Sequence, residues 1–250
     1  MLLMEFFRGN PRVAVAFSGG ADSAYLLYAA KDAGCDVSAY FMKSRFQPQF
    51  ELDDAKRLAD SLDVPLTVWM LDVLLDLNIA NNPPDRCYHC KSAIMSRLWE
   101  LARADGYTVL CDGTNADDKE TDRPGMRALR ELGVSSPLRD CGLTKNDIRR
   151  LSKQADLFTH DKPPYACLAT RIPTGTKITE DLLTKIERAE SALFNMGFSD
   201  FRVRLIPPCG AKIQLPDTQL DEAVSRRSKI LASLIPDFDH VVLDLTARRI

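Results

Sequence analysis

The feature that most constrains this chain is the stretch from Arg12 to Gly34, in which an apolar segment leads through a glycine turn into a helical pattern. Residues 13–17 are apolar without interruption, as in a strand that is buried on both faces of a parallel sheet. A strand, a glycine turn and a helix start together form an anion site, because free backbone N–H groups and the positive end of the helix dipole point at one spot. The pattern therefore predicts a phosphate-binding loop.

The turn itself carries residues that suit a polyphosphate. Gly19 and Gly20 let the backbone approach a phosphate closely, and Ser18 and Ser23 add hydroxyl donors. Asp22 is a poor phosphate contact, but it is suited to hold Mg²⁺, which neutralises a polyphosphate. The alternative is an ordinary turn in which small residues only allow tight packing.

The string SGGADS resembles the PP-loop of the ATP pyrophosphatases, which cleave ATP between the α- and β-phosphates and activate a substrate as an adenylate. It lacks the GK[ST] of a Walker A loop, which argues against ordinary γ-phosphoryl transfer. The resemblance implies ATP and Mg²⁺ as cofactors, with the loop residues named above as ATP contacts.

Composition narrows the class of protein further. A chain of 250 residues can form one large domain, or one medium domain with a small appendage. The net charge of −2 gives no support for nucleic-acid binding, and no apolar run is long enough to span a membrane. We therefore expect a cytoplasmic protein, in which seven cysteines indicate metal binding or chemistry more than a disulfide framework.

Strand and helix patterns alternate through the first two thirds of the chain. Further strands are predicted at 37–42, 66–71 and 107–111, and helices at 51–62, 91–104 and 144–155. The alternation implies right-handed crossovers and a doubly wound, mostly parallel α/β sheet of the PP-loop type, with ligands at the carboxyl ends of its strands. We expect adenine at the backbone of Phe41 and Met42, and ribose or phosphate at Gly113, Thr114 and Asn115. Asp117 and Asp118 are suited to hold metal or to cap the next element.

The pattern changes near Thr179. A helix to about Met196 is followed by strands at 201–206 and 211–215, a helix at 218–234 and a strand at 241–245. This order predicts a small C-terminal α+β domain. We assign residues 1–170 to an ATP-binding and adenylation domain, and residues 171–250 to substrate binding and oligomerisation.

Three cysteines lie where chemistry is expected. Cys87 and Cys90 form a CxxC at a helix start, which suits redox chemistry, zinc or an iron–sulfur cluster, whereas burial as small hydrophobes is the alternative. Cys167 follows two prolines in a non-helical loop, where a cysteine is more often exposed and reactive. Lys162 and Arg171 flank it and would favour a thiolate or hold an anion.

Two arginines point to a phosphate site in the C-terminal part. Arg202 and Arg204 share one face of their strand, and two adjacent cations repel unless an anion lies between them. A solvated strand face is the alternative. Glu190 and Asp221, on the two flanking helices, are candidates to orient these arginines.

Several motifs together resemble the LarE family over nearly the whole chain: SGGADS, NPPDRCYHCK, DGTNADD, DRPG, KPPYACLATR and RVR. LarE proteins are PP-loop sulfur transferases of nickel-pincer nucleotide biosynthesis. The resemblance implies that ATP adenylates a carboxylate of pyridinium-3,5-biscarboxylic acid mononucleotide and releases pyrophosphate. A cysteine thiolate then displaces AMP, and a thiocarboxylate results.

The resemblance also assigns roles to residues. Cys167 matches the sulfur-donating cysteine and is predicted to be catalytic, together with Asp22 and Lys91. The predicted contacts of the substrate phosphate are Arg171, Arg202, Arg204, Glu190 and Asp221.

Some family members carry only the loop cysteine and sacrifice its sulfur, which leaves dehydroalanine. Others also carry a CxxC, and their three cysteines resemble the ligands of a 4Fe–4S cluster with one open iron. Cys87, Cys90 and Cys167 place this chain with the second kind. Three further cysteines fit no motif and are predicted to be structural: Cys35, Cys141 and Cys209.

Three other functions remain open. A tRNA thiolase shares the PP-loop but needs a basic RNA-binding surface. An ammonia-using amidating ligase shares the adenylation step but has no use for Cys167. A non-enzymatic nucleotide-binding protein would bind ATP without releasing pyrophosphate. The expected partner is a small nucleotide substrate, with no nucleic acid, no membrane and an open sulfur donor, and the family resemblance implies a homo-oligomer.

Overall fold

The computed structural model describes residues 2–118 and 124–248. Its strands are β1 Arg12–Ala16, β2 Asp36–Lys43, β3 Leu66–Met70, β4 Leu110–Asp112, β5 Arg202–Ile206, β6 Gly210–Gln214 and β7 His240–Leu243. Its helices are α1 Leu3–Gly9, α2 Ala21–Asp32, α3 Gln49–Ser61, α4 Leu77–Ala80, α5 Arg86–Ala104, α6 Pro124–Glu131, α7 Pro137–Asp140, α8 Lys145–Gln154, α9 Glu180–Asn195, α10 Leu220–Ser225 and α11 Arg227–Leu234.

The described chain divides into two compact units. The first contains residues 2–73 and 85–162, and the second contains residues 74–84 and 163–248. Residues 74–84 join the second unit because Asn82 bonds to it: its side-chain amide donates to the carbonyl of Pro173 at 2.8 Å, and its own carbonyl accepts from the Gly175 amide at 2.8 Å. The first unit ends at residue 162, before the domain boundary that the sequence predicted at residue 170. The functional roles of the two domains stay predictions.

The first unit is built on a four-stranded parallel sheet in the order β3-β2-β1-β4. β1 pairs with β2 on one side and with β4 on the other, so the strand that leads into the glycine turn is central. A central parallel strand has to be apolar on both faces. Residues 13–17 of the sequence meet that requirement.

Helices cover both faces of this sheet. Val13 and Val15 of β1 pack in one cluster with residues of α2, α3 and α8, whereas Ala14 and Ala16 pack in a second cluster with α5 and α6. Because side chains alternate between the two faces of a strand, β1 contributes residues to both clusters. The doubly wound, parallel α/β fold is therefore confirmed.

Two elements of the first unit differ from their predicted bounds. α5 begins at Arg86 and not at Lys91, because Asp85 directly follows the two prolines and already occupies the N-cap position. β4 begins at Leu110, three residues after the predicted start at Tyr107, and Tyr107 packs as a core residue before the strand. The DRPG motif begins at residues 122 and 123, which lie outside the described residues, and α6 starts at its proline.

The second unit contains a three-stranded sheet in the order β5-β6-β7. β5 and β6 are antiparallel, and β6 and β7 are parallel. The predicted helix at 218–234 is interrupted at Arg226, whose dihedral angles separate α10 from α11. The small C-terminal α+β domain is confirmed.

Cys35 and Cys111 lie in the core of the first unit. Burial raises the pKa of both thiols, as expected for structural cysteines.

In residues 2–118 and 124–248, no helix combines the length and the apolar character needed to cross a membrane.

Candidate functional site

The glycine turn after β1 requires glycine at its second position. Gly19 has φ +74°, a conformation that side chains disfavour. A Cβ atom on Gly19 would also lie 2.7 Å from the carbonyl oxygen of Glu51 in α3. The loop is therefore pressed against α3, and only a bare backbone fits.

Two serine hydroxyls hold the turn in shape. The Oγ atoms of Ser18 and Ser23 lie 3.0 Å apart, and Ser23 Oγ also accepts from the Ser18 amide at 3.3 Å. Ser23 is buried at the start of α2, whereas Ser18 is exposed. Gly20 occupies the N-cap position of α2 without a side-chain cap, so the first amides of the helix have no cap of the kind that Ser or Asp supplies.

Asp22 has one engaged and one unsatisfied carboxylate oxygen. Its Oδ2 accepts a hydrogen bond from Nζ of Lys145, the first residue of α8. Its Oδ1 is buried and has no hydrogen-bond partner in the described part of the chain. A buried carboxylate oxygen without a partner is costly, and a bound cation would satisfy it. Asp22 therefore fits the predicted role of a magnesium ligand.

The end of β4 lies directly against the glycine turn. A Cβ atom on Gly113 would be 2.7 Å from the amide nitrogen of Ser23, so the two backbones touch. The structure thus brings Gly113 and its neighbours to the start of α2. Thr114 Oγ1 donates to Asp112 at 2.6 Å, and the carboxylate of Asp112 also accepts from Ser136 at 2.7 Å.

The next residues of this segment organise the backbone. Asn115 is buried, its amide donates to Asp118 Oδ2 at 3.1 Å, and its Oδ1 accepts from the Asp117 amide at 2.9 Å. Asp117 in turn accepts from the Lys145 amide at 2.8 Å, at the start of α8. Asp117 thus bonds to the start of α8 and Asp118 bonds within its own turn, and neither bond is a cap on the element that follows.

Lys91 is also near this strand end. Its Nζ lies 3.7 Å from Oδ2 of Asp112, and its aliphatic chain lies where a Cβ atom on Gly125 would come within 3.1 Å. Asp112 was not predicted as a site residue, since a buried aspartate in an acidic segment gives no distinct signal in the sequence. The structure pairs it with Lys91.

Phe41 and Met42 lie inside β2, and their side chains are buried on opposite faces of the sheet. Their backbones pair with Val68 and Trp69 of β3. At the end of β2, the Lys43 carbonyl also accepts from the Leu71 amide at 2.9 Å. The adenine position stays a prediction.

Lys162 contacts the glycine turn, which the sequence did not indicate. Its Nζ donates to the carbonyl of Gly19 at 3.0 Å and to Oδ2 of Asp54 at 2.6 Å. Its side chain is only 15% exposed. The predicted action of Lys162 on Cys167 therefore competes with an ion pair that the first unit already provides.

The CxxC lies in the first turn of α5. Cys87 is exposed and Cys90 is half-buried, and their spacing places them on one face of the helix. The guanidinium of Arg86 donates to Cys87 Sγ at 3.4 Å. His89 lies 3.2 Å from Asp85, so its ring is engaged at the helix start.

The predicted iron–sulfur cluster would need ligands from both units. Across residues 2–118 and 124–248, no three His, Cys, Asp or Glu side chains are grouped so that they could hold a metal ion. Cys87 and Cys90 belong to the first unit and Cys167 to the second. The three-cysteine cluster therefore stays a prediction.

Cys167 opens a short 3₁₀ helix, Leu168–Arg171, in the second unit. Its carbonyl accepts from the amide of Thr170 at 3.0 Å and from the Thr170 hydroxyl at 2.8 Å. These bonds fix the backbone of Cys167, and its side chain is half-buried. The thiol thus sits on an ordered loop, as a nucleophile requires.

Arg171 and Glu190 form a buried bidentate ion pair. Nε and Nη2 of Arg171 donate to the two carboxylate oxygens at 2.6 and 3.2 Å. Glu190 also accepts from the amide of Val203 at 2.9 Å and from the hydroxyl of Tyr165. Burial opposes the charge of Arg171, but the hydrogen bonds and charge of Glu190 outweigh it and raise the pKa of Arg171.

Arg202 and Arg204 lie beside this pair. Arg202 donates to the carbonyls of Phe201 and Pro164, both at 2.6 Å. Burial, together with the charges of Arg171 and Arg248, lowers the pKa of Arg202 to about 10.

The same causes lower the pKa of Arg204, whose Nε donates to Gln214 at 2.6 Å and whose Nη1 donates to the carbonyl of Thr170 at 2.8 Å. Asp221 is exposed on α10 and forms no hydrogen bond or ion pair with these arginines in the described chain. Glu190, the other predicted carboxylate, bonds to Arg171 and to the amide of Val203, which lies between the two arginines.

The first unit defines a class of protein: a parallel α/β nucleotide-binding domain whose first strand, turn and helix form a PP-loop. Residues 11–82 match the family described as the tRNA methyl transferase HUP domain. This match confirms the class that the sequence predicted.

Relatives extend over nearly the whole chain. The pyridinium-3,5-bisthiocarboxylic acid mononucleotide synthase of Lactiplantibacillus plantarum is 35% identical over 97% of this chain and 89% of its own length. An uncharacterized protein of Synechocystis is 34% identical over 97% of this chain and 92% of its own. A tRNA-specific 2-thiouridylase of Clostridium botulinum is 24% identical over 60% of this chain and 52% of its own. The chain therefore belongs to the LarE family, and it is an ATP-dependent sulfur transferase.

Proposed function

We propose that this enzyme adenylates a carboxylate of pyridinium-3,5-biscarboxylic acid mononucleotide and converts it to a thiocarboxylate, with release of pyrophosphate and AMP. This is the reaction expected of a chain that resembles a synthase of the bisthiocarboxylic acid mononucleotide over nearly its full length. It places the chain in nickel-pincer cofactor biosynthesis.

The observation that carries the proposal is the group of arginines in the second unit. Arg171 is neutralised by Glu190, but Arg202 is buried and Arg204 is half-buried. Burial, and after it the charges of Arg171 and Arg248, lowers the pKa of both. Cations that repel each other in a partly buried site are stabilised by an anion. A phosphate monoester, which a mononucleotide substrate carries, supplies that anion. The ATP site alone would not explain this second group of charges.

In the adenylation step, a carboxylate oxygen of the substrate attacks the α-phosphorus of ATP. The bond between that phosphorus and the bridging oxygen breaks, and its electron pair leaves with pyrophosphate. The amides after Gly20 and the hydroxyl of Ser18 would stabilise this charge. Asp22 would hold Mg²⁺, which neutralises polyphosphate charge.

In the second step, the thiolate of Cys167 attacks the activated carbonyl carbon, and AMP leaves with the electron pair of the broken acyl–phosphate bond. A thiolate is the strong nucleophile that a protein provides near neutral pH. Cleavage of the Cβ–Sγ bond, with loss of the α-proton, would then give a thiocarboxylate and dehydroalanine. Delivery of sulfur by another donor would spare the cysteine.

The origin of the sulfur is tested by iron analysis of protein that is purified without oxygen. If Cys167 itself supplies the sulfur, as we propose, the protein should hold no stoichiometric iron and complete a single turnover that consumes Cys167. About four iron atoms per chain, lost in Cys87→Ala, would overturn this expectation and support the three-cysteine cluster.

A second candidate function is thiolation of tRNA, since the relative from Clostridium botulinum is named a tRNA-specific 2-thiouridylase. The two functions differ in their acceptor. Pyrophosphate release that depends on added tRNA, and not on the pyridinium mononucleotide, would favour this alternative.

The reaction is tested by incubating the enzyme with ATP, Mg²⁺ and the biscarboxylic acid mononucleotide. We expect release of pyrophosphate and AMP that depends on this substrate, and substitution of Arg204 by Gln should raise the KM for the mononucleotide about tenfold or more. Equal release with simple carboxylates would contradict the proposal. The cytoplasmic location, the homo-oligomer and the absence of bound nucleic acid stay predictions.

A further inference from the structure

Lys145 contacts the acidic residue of the glycine turn, although the two lie far apart in the sequence. Its ammonium donates to Oδ2 of Asp22, which leaves Oδ1 of Asp22 buried and unsatisfied among the described residues. The Lys145 side chain is 31% exposed. A positive charge therefore lies at the start of α2, next to the amides that suit an anion.

The backbone at Lys145 is held by a helix cap and by a hydrogen bond from its own amide. Thr144 caps α8: its Oγ1 accepts from the amide of Asp147 at 3.2 Å, and the Thr144 amide donates to Oδ2 of Asp147 at 3.2 Å. The amide of Lys145 donates to Asp117 at 2.8 Å. The backbone of Lys145 is thus fixed, whereas its partly exposed ammonium can exchange one hydrogen-bond acceptor for another.

We propose that Lys145 binds the pyrophosphate leaving group, which makes it a catalytic residue that neither the sequence motifs nor the comparisons assign. The proposal rests on the adenylation reaction proposed above. As the bond from the α-phosphorus to the bridging oxygen breaks, negative charge grows on that oxygen. Pyrophosphate carries several negative charges and competes with the single charge of Asp22 for the ammonium. Lys145 then lowers the barrier by stabilising the charge that leaves.

The test is the affinity of the full chain for inorganic pyrophosphate, measured by calorimetry without Mg²⁺. Lys145→Met keeps the length of the side chain and removes its charge, and we expect pyrophosphate to bind about tenfold to a hundredfold more weakly. The affinity for AMP, which lacks the leaving phosphates, should stay within about twofold. Lys153→Met, on the exposed side of the same helix, is the control and should bind pyrophosphate as the unchanged protein does. Equal pyrophosphate affinity in Lys145→Met, or an equal loss of AMP affinity, would overturn the assignment.

A second variant covers the case in which Lys145→Met no longer melts cooperatively. Asp22→Asn leaves Lys145 in place and frees its ammonium, so pyrophosphate should bind more tightly than in the unchanged protein. Unchanged or weaker binding would overturn the assignment. Failure of the unchanged enzyme to form a thiocarboxylate, with the pyrophosphate results as expected, would count against the proposed reaction only.

Discussion

Single residues in this chain are constrained by what surrounds their Cβ atoms and their charges. Gly19 and Gly34 both have positive φ angles, at +74° and +77°. Around Gly34 there is open space, but a Cβ on Gly19 would meet the carbonyl oxygen of Glu51. A comparison of alanine substitutions at the two glycines therefore separates the cost of backbone strain from the cost of a steric clash.

Gly19→Ala should lose more stability than Gly34→Ala, and it alone should lose ATP affinity. A left-handed alanine costs about 1–2 kcal/mol at either position, and the clash adds to that cost at Gly19. Thermal unfolding and ATP titration check this. Retention of full ATP affinity by Gly19→Ala would contradict the close contact between the loop and α3.

Glu190→Gln should destabilise the second unit strongly, since it leaves the buried charge of Arg171 without its counter-ion. Removing one partner of a buried ion pair costs about 3–5 kcal/mol. The matched control is Asp181→Asn, which removes an exposed ion pair with Lys185 on the same helix and should leave the melting temperature unchanged. Equal melting temperatures of the two variants would contradict the role of Glu190.

The pH dependence of substrate binding should follow Arg202. Its pKa is lowered to about 10, so the guanidinium is still charged at neutral pH and loses its proton only as the pH rises through about 10. The KM for the mononucleotide should therefore be constant from about pH 7 to 9 and rise above about pH 10. A steady-state pH profile of pyrophosphate release measures it, and a KM that already rises between pH 7 and 8 would contradict the assignment.

The depressed pKa of Arg202 also has a consequence for stability. Because the unfolded arginine keeps its ordinary, higher pKa, burial of the charged form opposes folding fully below about pH 10. This penalty is relieved as the pH rises above about 10. The phosphate of the proposed substrate would offset this penalty at neutral pH, so a site that is costly for the fold is retained for binding.

At the scale of secondary structure, the starts of three helices position residues of the candidate site. α2 starts at the glycine turn, α8 starts at Lys145 and α5 starts at the CxxC. Each start brings one residue of the site to a fixed place. Caps should therefore affect function as well as stability.

Thr144→Ala and Thr179→Ala form a matched pair that separates these effects. Each threonine caps its helix, α8 or α9, by accepting a bond from a first-turn amide, and each loss should cost about 1 kcal/mol. Only Thr144→Ala should also weaken pyrophosphate binding, because it makes the backbone of Lys145 at the start of α8 less well fixed. Equal pyrophosphate affinity in the two variants would argue against a positioning role for the cap.

Sequence patterns predict the local structure of this chain but not its tertiary contacts. The strand–turn–helix unit, the cap at Thr144 and the small α+β domain follow from periodicity and turn residues, and the structure has them. The contacts of Lys145 with Asp22 and of Lys162 with Gly19 could not be predicted, since each joins residues more than a hundred positions apart through tertiary folding. The association of residues 74–84 with the second unit depends on Asn82 in the same way.

At the scale of the whole molecule, we propose that each of the two units binds a different kind of anion. The first unit offers an amide-lined loop with Asp22 and Lys145, which suits a polyphosphate. The second offers arginines and an ordered cysteine loop, which suit a phosphorylated substrate and a thiolate. The central claim is that Cys167 supplies the sulfur to a carboxylate that the first unit has activated.

The most direct measurement follows the product and the intact mass of the protein in a single turnover with ATP, Mg²⁺ and the mononucleotide. We predict that the unchanged enzyme forms a thiocarboxylate as Cys167 becomes dehydroalanine. Cys167→Ala should release pyrophosphate and form no thiocarboxylate, whereas the control Cys141→Ala should behave as the unchanged enzyme does. Formation of thiocarboxylate by Cys167→Ala would contradict the account.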